Sequence, residues 1–166
     1  MGEAQRGTDE RSGAPDSATQ AITTLDVRPI LATGRDPLDD ILTSLAAVPR
    51  GAALLLTVPF RPTPLLTLLT SRGHGVALRP LDGGLFAVVV VVEEPSVSPS
   101  DLSDLEPPEP MEVVLGATTA LARDEVRLYW LPRYPRMLVP LLADRAVRWQ
   151  LVALEDGSAL LHLRGV

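Results

Sequence analysis

One stretch of sequence occurs twice in this chain. Residues 36–90 align with residues 109–163 without a gap when 73 is added to each number. The matched pairs include prolines, leucines and arginines: Pro37 and Pro110, Leu42 and Leu115, Pro62 and Pro135, Leu69 and Leu142, and Arg72 and Arg145. A fixed offset over this length indicates duplication of one supersecondary unit. The sequence therefore predicts two lobes that share one fold.

Composition outside the repeat predicts where the lobes begin and end. Residues 1–21 are mostly small, polar or charged and are expected to form a disordered tail, because they bury too little apolar surface to offset ordering. Residues 22–94 form the predicted first lobe, the acidic and proline-rich residues 95–103 the linker, and residues 104–166 the second lobe. At this size a single hydrophobic core gives only marginal stability, so the lobes are expected to pack against each other or against a second chain.

Hydrophobic periodicity and turn residues predict the same element order in both lobes, namely β-α-β-α-β-β. The fold class is therefore α/β, with each lobe an α+β two-layer sandwich. In the first lobe a strand is expected from Ala21 to Val27, and a helix from Asp36, whose carboxylate is a natural N-cap. The remaining elements are predicted at residues 53–58, 64–72, 76–81 and 85–92 in the first lobe and at 110–121, 126–130, 137–145, 149–154 and 159–164 in the second.

The strand around Val88–Val92 is apolar at every position instead of alternating. Two helices cover only one face of a four-stranded sheet, so alternation is expected if the other face meets water. We predict that this open face is buried, either against the second lobe or in a homodimer. The alternative is that these apolar residues reflect only the preference of valine for strands, in a strand that is partly exposed.

Composition and charge exclude several classes of function. Cysteine is absent, which excludes disulfides and thiolate chemistry. The net charge of −6 leaves no segment with the basic excess that binding to nucleic acid requires. The longest apolar run, Leu85–Val92, is far shorter than the roughly 20 residues of a membrane-spanning helix. The N-terminus lacks an apolar signal segment, so a cytoplasmic location is expected.

Two segments carry a resemblance to a known family. Residues 104–111, Asp-Leu-Glu-Pro-Pro-Glu-Pro-Met, and residues 25–29, Leu-Asp-Val-Arg-Pro, resemble the prokaryotic family called domain of unknown function 2249. That family is similar in turn to the TusA-type (SirA-like) sulfur carriers. The resemblance implies a TusA-like βαβαββ sandwich in each lobe.

The resemblance also implies that this chain lacks one activity of the similar proteins. Carriers of this type use a Cys-Pro-x-Pro motif at the start of the first helix, where the helix dipole stabilises a thiolate. The matching residues are Gly34-Arg35-Asp36-Pro37 in the first lobe and Pro107-Pro108-Glu109-Pro110 in the second. Gly34 and Pro107 therefore stand where the cysteine would be. Sulfur transfer through the usual residue is excluded.

With the cysteine positions excluded, two loops remain as candidate ligand-binding sites. Each places an aromatic side chain beside arginine just before a predicted helix: Phe60 and Arg61 in the first lobe, and Arg133, Tyr134 and Arg136 in the second. Such a loop suits a carboxylate, a phosphate or an acidic partner segment. The simpler interpretation is an exposed proline-rich turn whose arginines serve solubility.

No other pattern indicates catalysis, a metal or a cofactor. His74 and His162 lie at non-equivalent positions without neighbouring acids at ligand spacing, so no metal site is expected. The acidic residues near the helix starts, Asp36, Asp39, Asp40, Glu109 and Glu112, are explained by helix capping. We expect no catalytic residue and no cofactor.

Two hypotheses about function follow. The first is a non-enzymatic tandem module that binds a protein partner or a small ligand. The second is a cysteine-less relative of the sulfur carriers that binds a small anionic substrate, or serves as a subunit of an enzyme in redox, sulfur or nitrogen-oxide metabolism. That pathway context is implied by the resemblance alone.

Overall fold

The computed structural model describes residues 21–166, so the predicted tail lies outside the described residues except for Ala21. The described chain divides into two compact units, residues 22–98 (lobe 1) and residues 99–166 (lobe 2). Both are mixed α/β units built around a four-stranded sheet, as the repeat predicts. Within residues 21–166 the helices are all too short or too polar to cross a membrane.

Lobe 1 contains four strands and three helices. Its elements in chain order are β1 (Ile22–Asp26), α1 (Arg28–Ala32), α2 (Leu38–Ala46), β2 (Ala53–Val58), α3 (Thr63–Ser71), β3 (Gly75–Pro80) and β4 (Phe86–Val91). The sheet order is β1-β2-β4-β3, with β1 parallel to β2 and the other pairs antiparallel. The turn between β3 and β4 places Gly83 and Gly84 at positive φ, which explains why glycines stand there.

Lobe 2 repeats this arrangement with a shorter first strand and without a counterpart of α1. Its elements are β5 (Ser100–Asp101), α4 (Glu109–Ala120), β6 (Val126–Leu131), α5 (Leu138–Ala143), β7 (Val147–Ala153) and β8 (Ala159–Gly165). The sheet order β5-β6-β8-β7 is the order of lobe 1. Helix α5 begins at Leu138 because Pro140, which has no N–H group, fits only within the first turn of a helix.

The helices of each lobe pack on one face of its sheet. In lobe 1 the helix residues Ile41, Leu45 and Leu69 share a buried core with strand residues such as Leu54 and Val90. In lobe 2 the corresponding core includes Val114 and Leu142 from the helices, with strand residues Trp149, Leu161 and Leu163. Each lobe is therefore a two-layer unit with its own apolar core.

Strands β2 and β4 are also buried on the face away from the helices. Leu55, Val89 and Val91 point to that face and are at most 4% exposed. The absence of alternation in this part of the sequence therefore accompanies burial on both faces. A homodimer formed through this face stays a prediction.

Three local features differ from the sequence-based expectations. A short helix, α1, occupies the connection between β1 and α2, for which the sequence predicts no element. Helix α2 begins at Leu38 and not at Asp36, although the Asp36 carboxylate still accepts a hydrogen bond from the Leu38 backbone N–H at 2.9 Å. Residues assigned to the linker contribute strand β5, and Leu102 within that segment is buried in the lobe 2 core.

Candidate functional site

Each lobe has a cleft at the start of one helix, which is α2 in lobe 1 and α4 in lobe 2. In lobe 1 a cleft of about 290 Å³ lies between the N-terminus of α2, the end of β2 and the start of α3. Its lining is largely apolar and includes Pro37, Ile41, Val58, Phe60 and Leu65. Asp36 is the one charged residue of that lining.

The cleft of lobe 2 lies at the equivalent place and is larger. Its volume is about 450 Å³, and it lies between the N-terminus of α4, the end of β6 and the start of α5. Under the repeat offset, Pro37 corresponds to Pro110, and Val58 to Leu131. The clefts were duplicated together with the fold, so the same part of each lobe is open to a ligand.

Proline shapes both clefts. Pro59 and Pro132 directly follow β2 and β6, and proline lacks the N–H group that a strand needs to continue its ladder. The carbonyl of Pro62 then accepts a hydrogen bond from Leu66 N–H at 3.0 Å, which closes the first turn of α3. In lobe 2 the carbonyl of Pro135 accepts from Leu138 N–H at 2.9 Å. In both lobes the proline at the end of the loop is thereby hydrogen-bonded to the following helix.

The structure separates the candidate residues of lobe 1. Phe60 lines the cleft and is 48% exposed. Arg61 is absent from the lining, and its guanidinium lies 5.5 Å from the centre of the Phe86 ring in a cation–π contact. Phe60 and Arg61 therefore do not line the same cleft, and their joint role in ligand binding stays a prediction.

All three candidate residues of lobe 2 line one cleft. Arg133 and Arg136 are exposed at its rim, and Tyr134 between them is half-buried. Burial raises the pKa of the Tyr134 phenol, against the opposing positive charge of Arg136. The hydroxyl therefore stays protonated at neutral pH and is available as a hydrogen-bond donor.

The residues that resemble the Cys-Pro-x-Pro motif of the sulfur carriers are placed differently in the two lobes. Pro107 and Pro108 line the lobe 2 cleft, next to Pro110. In lobe 1, Asp36 and Pro37 line the cleft, whereas Gly34 has an open environment outside it. The start of α2 in lobe 1 and the start of α4 in lobe 2 are thus parts of the clefts, with no cysteine at either place.

Neither lining combines a nucleophile with a general base. The titratable side chains are one carboxylate in lobe 1, and two guanidinium groups and one phenol in lobe 2. Within the described residues 21–166, no group of three or more histidine, aspartate or glutamate side chains is placed to hold a metal ion. The chemistry offered by the clefts is apolar contact, charge pairing and hydrogen bonding.

Sequence reasoning did not single out the methionines of the lobe 2 cleft. Met111 lies at the start of α4, and Met137, which precedes α5, is 78% exposed. The repeat offset carried a usable signal, because it pairs these residues with Leu38 and Pro64, which line the lobe 1 cleft. Methionine side chains adapt to differently shaped apolar partners.

Comparison with known proteins gives a family but no characterised relative. The family model described as uncharacterized conserved protein (DUF2249) matches the chain twice, at residues 24–92 and at residues 100–164. Searches of curated proteins and of solved structures found no match. The two matched segments coincide with the two lobes and together cover most of the sequence. The chain therefore belongs to the DUF2249 family and carries two copies of its domain in tandem.

Proposed function

We propose that this protein is a non-catalytic tandem binding module of the cytoplasm, and that its clefts receive a segment of a partner protein. The observation that carries the proposal is that a cleft lies at the same position in both copies of the duplicated fold. Both linings are rich in proline and aliphatic side chains, which favour apolar contact over chemistry on a bound substrate. The chain resembles the sulfur carriers but lacks the cysteine that they use. This combination agrees with a module that binds a partner without transferring sulfur.

A second candidate function is binding of a small anionic substrate. It is favoured by Arg133 and Arg136, which bring two positive charges to one cleft of an otherwise acidic chain. Under this alternative the chain is a ligand-binding subunit of an enzyme. Stabilisation by small anions distinguishes it from the first proposal.

Blocking the clefts is expected to prevent capture of the partner. Tagged full-length protein is used for affinity capture from its native host, beside the variants Met137→Glu and Pro64→Glu, which put a carboxylate into the lobe 2 and lobe 1 clefts. Val113→Glu is the matched control, because Val113 is 41% exposed and lines neither cleft. We expect one stoichiometric protein with the wild type and the control, and its loss with at least one cleft variant.

Two results would decide against the proposal. Equal recovery of the same protein by both cleft variants would place the binding surface elsewhere. Absence of any partner, with a rise in melting temperature in sulfate or phosphate that Arg133→Gln removes, would instead support the small-anion function.

A further inference from the structure

The two clefts have diverged in charge although they occupy equivalent positions. Phe60 corresponds to Arg133 under the repeat offset, and Thr63 corresponds to Arg136. The lobe 1 lining contains one carboxylate and no basic side chain, whereas the lobe 2 lining contains two arginines and no carboxylate. The lobe 1 lining therefore carries a negative charge and the lobe 2 lining a positive charge, which favours anions only in lobe 2.

The arginines near the lobe 1 cleft are engaged within their own lobe. Arg28 contacts the Asp26 carboxylate through Nη2 at 2.7 Å and through Nε at 2.9 Å. Arg35 pairs with Asp40 at 3.3 Å, and Arg61 lies against the ring of Phe86. The side-chain hydrogen bond from Arg28 also lowers the pKa of Asp26, so this carboxylate keeps its charge.

The arginines of the lobe 2 cleft are not engaged in this way. Within residues 21–166, neither Arg133 nor Arg136 forms an ion pair with a carboxylate. Pro107, Pro108 and Pro110 have no N–H group, so the start of α4 offers few backbone donors to an anion. Binding of a carboxylate at this cleft therefore depends on the two guanidinium groups, which suit carboxylates geometrically.

The lobe 2 cleft also continues into an exposed apolar strip. Met137 is 78% exposed and Leu141, four residues later on the same side of the segment, is 39% exposed. The corresponding lobe 1 residues are Pro64 and the half-buried Leu68. An apolar surface that leads out of a cleft suits an elongated ligand better than a small enclosed one.

We propose that the lobe 2 cleft is the specific docking site for an extended, acidic segment of a partner protein, and that the lobe 1 cleft does not accept such a segment. The segment places an aliphatic or aromatic side chain between Met111, Tyr134 and Met137. Its carboxylates pair with Arg133 and Arg136. This inference rests on the proposed function and adds the lobe that binds and the chemistry of its ligand.

Nuclear magnetic resonance of the ¹⁵N-labelled full-length protein tests the inference. The probe is the capped peptide Gly-Glu-Leu-Glu-Phe-Glu-Gly, compared with the same peptide carrying glutamine in place of each glutamate. We expect the acidic peptide to shift the amide signals of Glu109, Met111 and the non-proline residues within 133–141. The amide signals of the non-proline residues within 36–41 and 60–65 are expected to stay unchanged. Binding is expected to weaken at least tenfold for the neutral peptide, and markedly at high salt.

Paired arginine variants provide the control for net charge. Arg133→Gln with Arg136→Gln is expected to weaken binding at least tenfold, whereas Arg145→Gln with Arg148→Gln, which alters two exposed arginines outside the cleft, should leave it within twofold. Unchanged signals away from the cleft verify that each variant is folded.

Several outcomes would overturn the inference. They are equal binding of the neutral peptide, equal shifts at the lobe 1 cleft, equal weakening by the control pair, or the same shifts with sodium acetate alone. The first two would leave the proposed function intact, because a peptide would still occupy a cleft. No shift with either peptide would also overturn the inference, and capture of the native partner would then judge the proposed function separately.

Discussion

Replacing Leu142 with alanine is expected to lower the free energy of unfolding of lobe 2 by about 3 kcal/mol, within the usual range for a buried leucine. Leu142 is fully buried and belongs to the core that joins α5 to the sheet. Its removal leaves a cavity beside Leu138, Leu151 and Leu161 that a six-residue helix, anchored at Leu138, can close only in part.

The neighbouring residue is a matched control for this prediction. Leu141 is 39% exposed, so Leu141→Ala is expected to change the free energy of unfolding by less than about 1 kcal/mol. Urea unfolding followed by tryptophan fluorescence is the measurement, because both tryptophans of the chain, Trp130 and Trp149, belong to lobe 2 and are at most 5% exposed. Equal effects of the two substitutions would contradict the described packing of α5.

Replacing Gly165 with alanine is expected to lower the free energy of unfolding by about 2 kcal/mol, as overpacking usually does. A Cβ atom at residue 165 would collide with the backbone carbonyl of Ala122. This backbone cannot retreat easily, since Gly165 donates to the Glu125 carbonyl at 2.9 Å and accepts from Asp124 N–H at 3.0 Å. The last strand therefore requires glycine at this position.

Gly116 provides the opposite case in the same lobe. It lies within α4, and a Cβ atom added there meets nothing within 4 Å. Gly116→Ala is expected to stabilise lobe 2 by about 0.5–1 kcal/mol, because alanine is the better helix former. Thermal unfolding of both variants by circular dichroism checks the pair. A Gly165→Ala protein as stable as the wild type would show that the two backbones are not in contact.

Most of the fold was predictable because its signals are local and repeated. Proline, glycine and hydrophobic spacing mark the boundaries of the elements, and the offset of 73 residues repeats these signals for the elements within residues 36–90. Strand β5 was not predictable, because its two residues are polar and are held by parallel pairing with β6. Helix α1 has only five residues, too few for a periodic pattern.

The candidate site was predictable only in part. Its loops were found because aromatic and arginine residues recur just before a helix in both copies. The sequence did not reveal that Arg61 turns to Phe86, since this contact depends on how a loop after β2 meets the first residue of β4. It also did not reveal that one cleft is lined both by the loop arginines and by Pro107 and Pro108, which resemble part of the Cys-Pro-x-Pro motif.

Site-specific photo-cross-linking in the native host is the most direct test of the claim that the lobe 2 cleft is a protein-binding site. A photoreactive amino acid replaces Met137 at the mouth of that cleft in one sample and the exposed Val113 in another. We expect Met137 to cross-link to one partner protein, within a segment that contains both acidic and apolar residues, and Val113 not to cross-link to it. Cross-linking of that partner from Val113 but not from Met137 would contradict it.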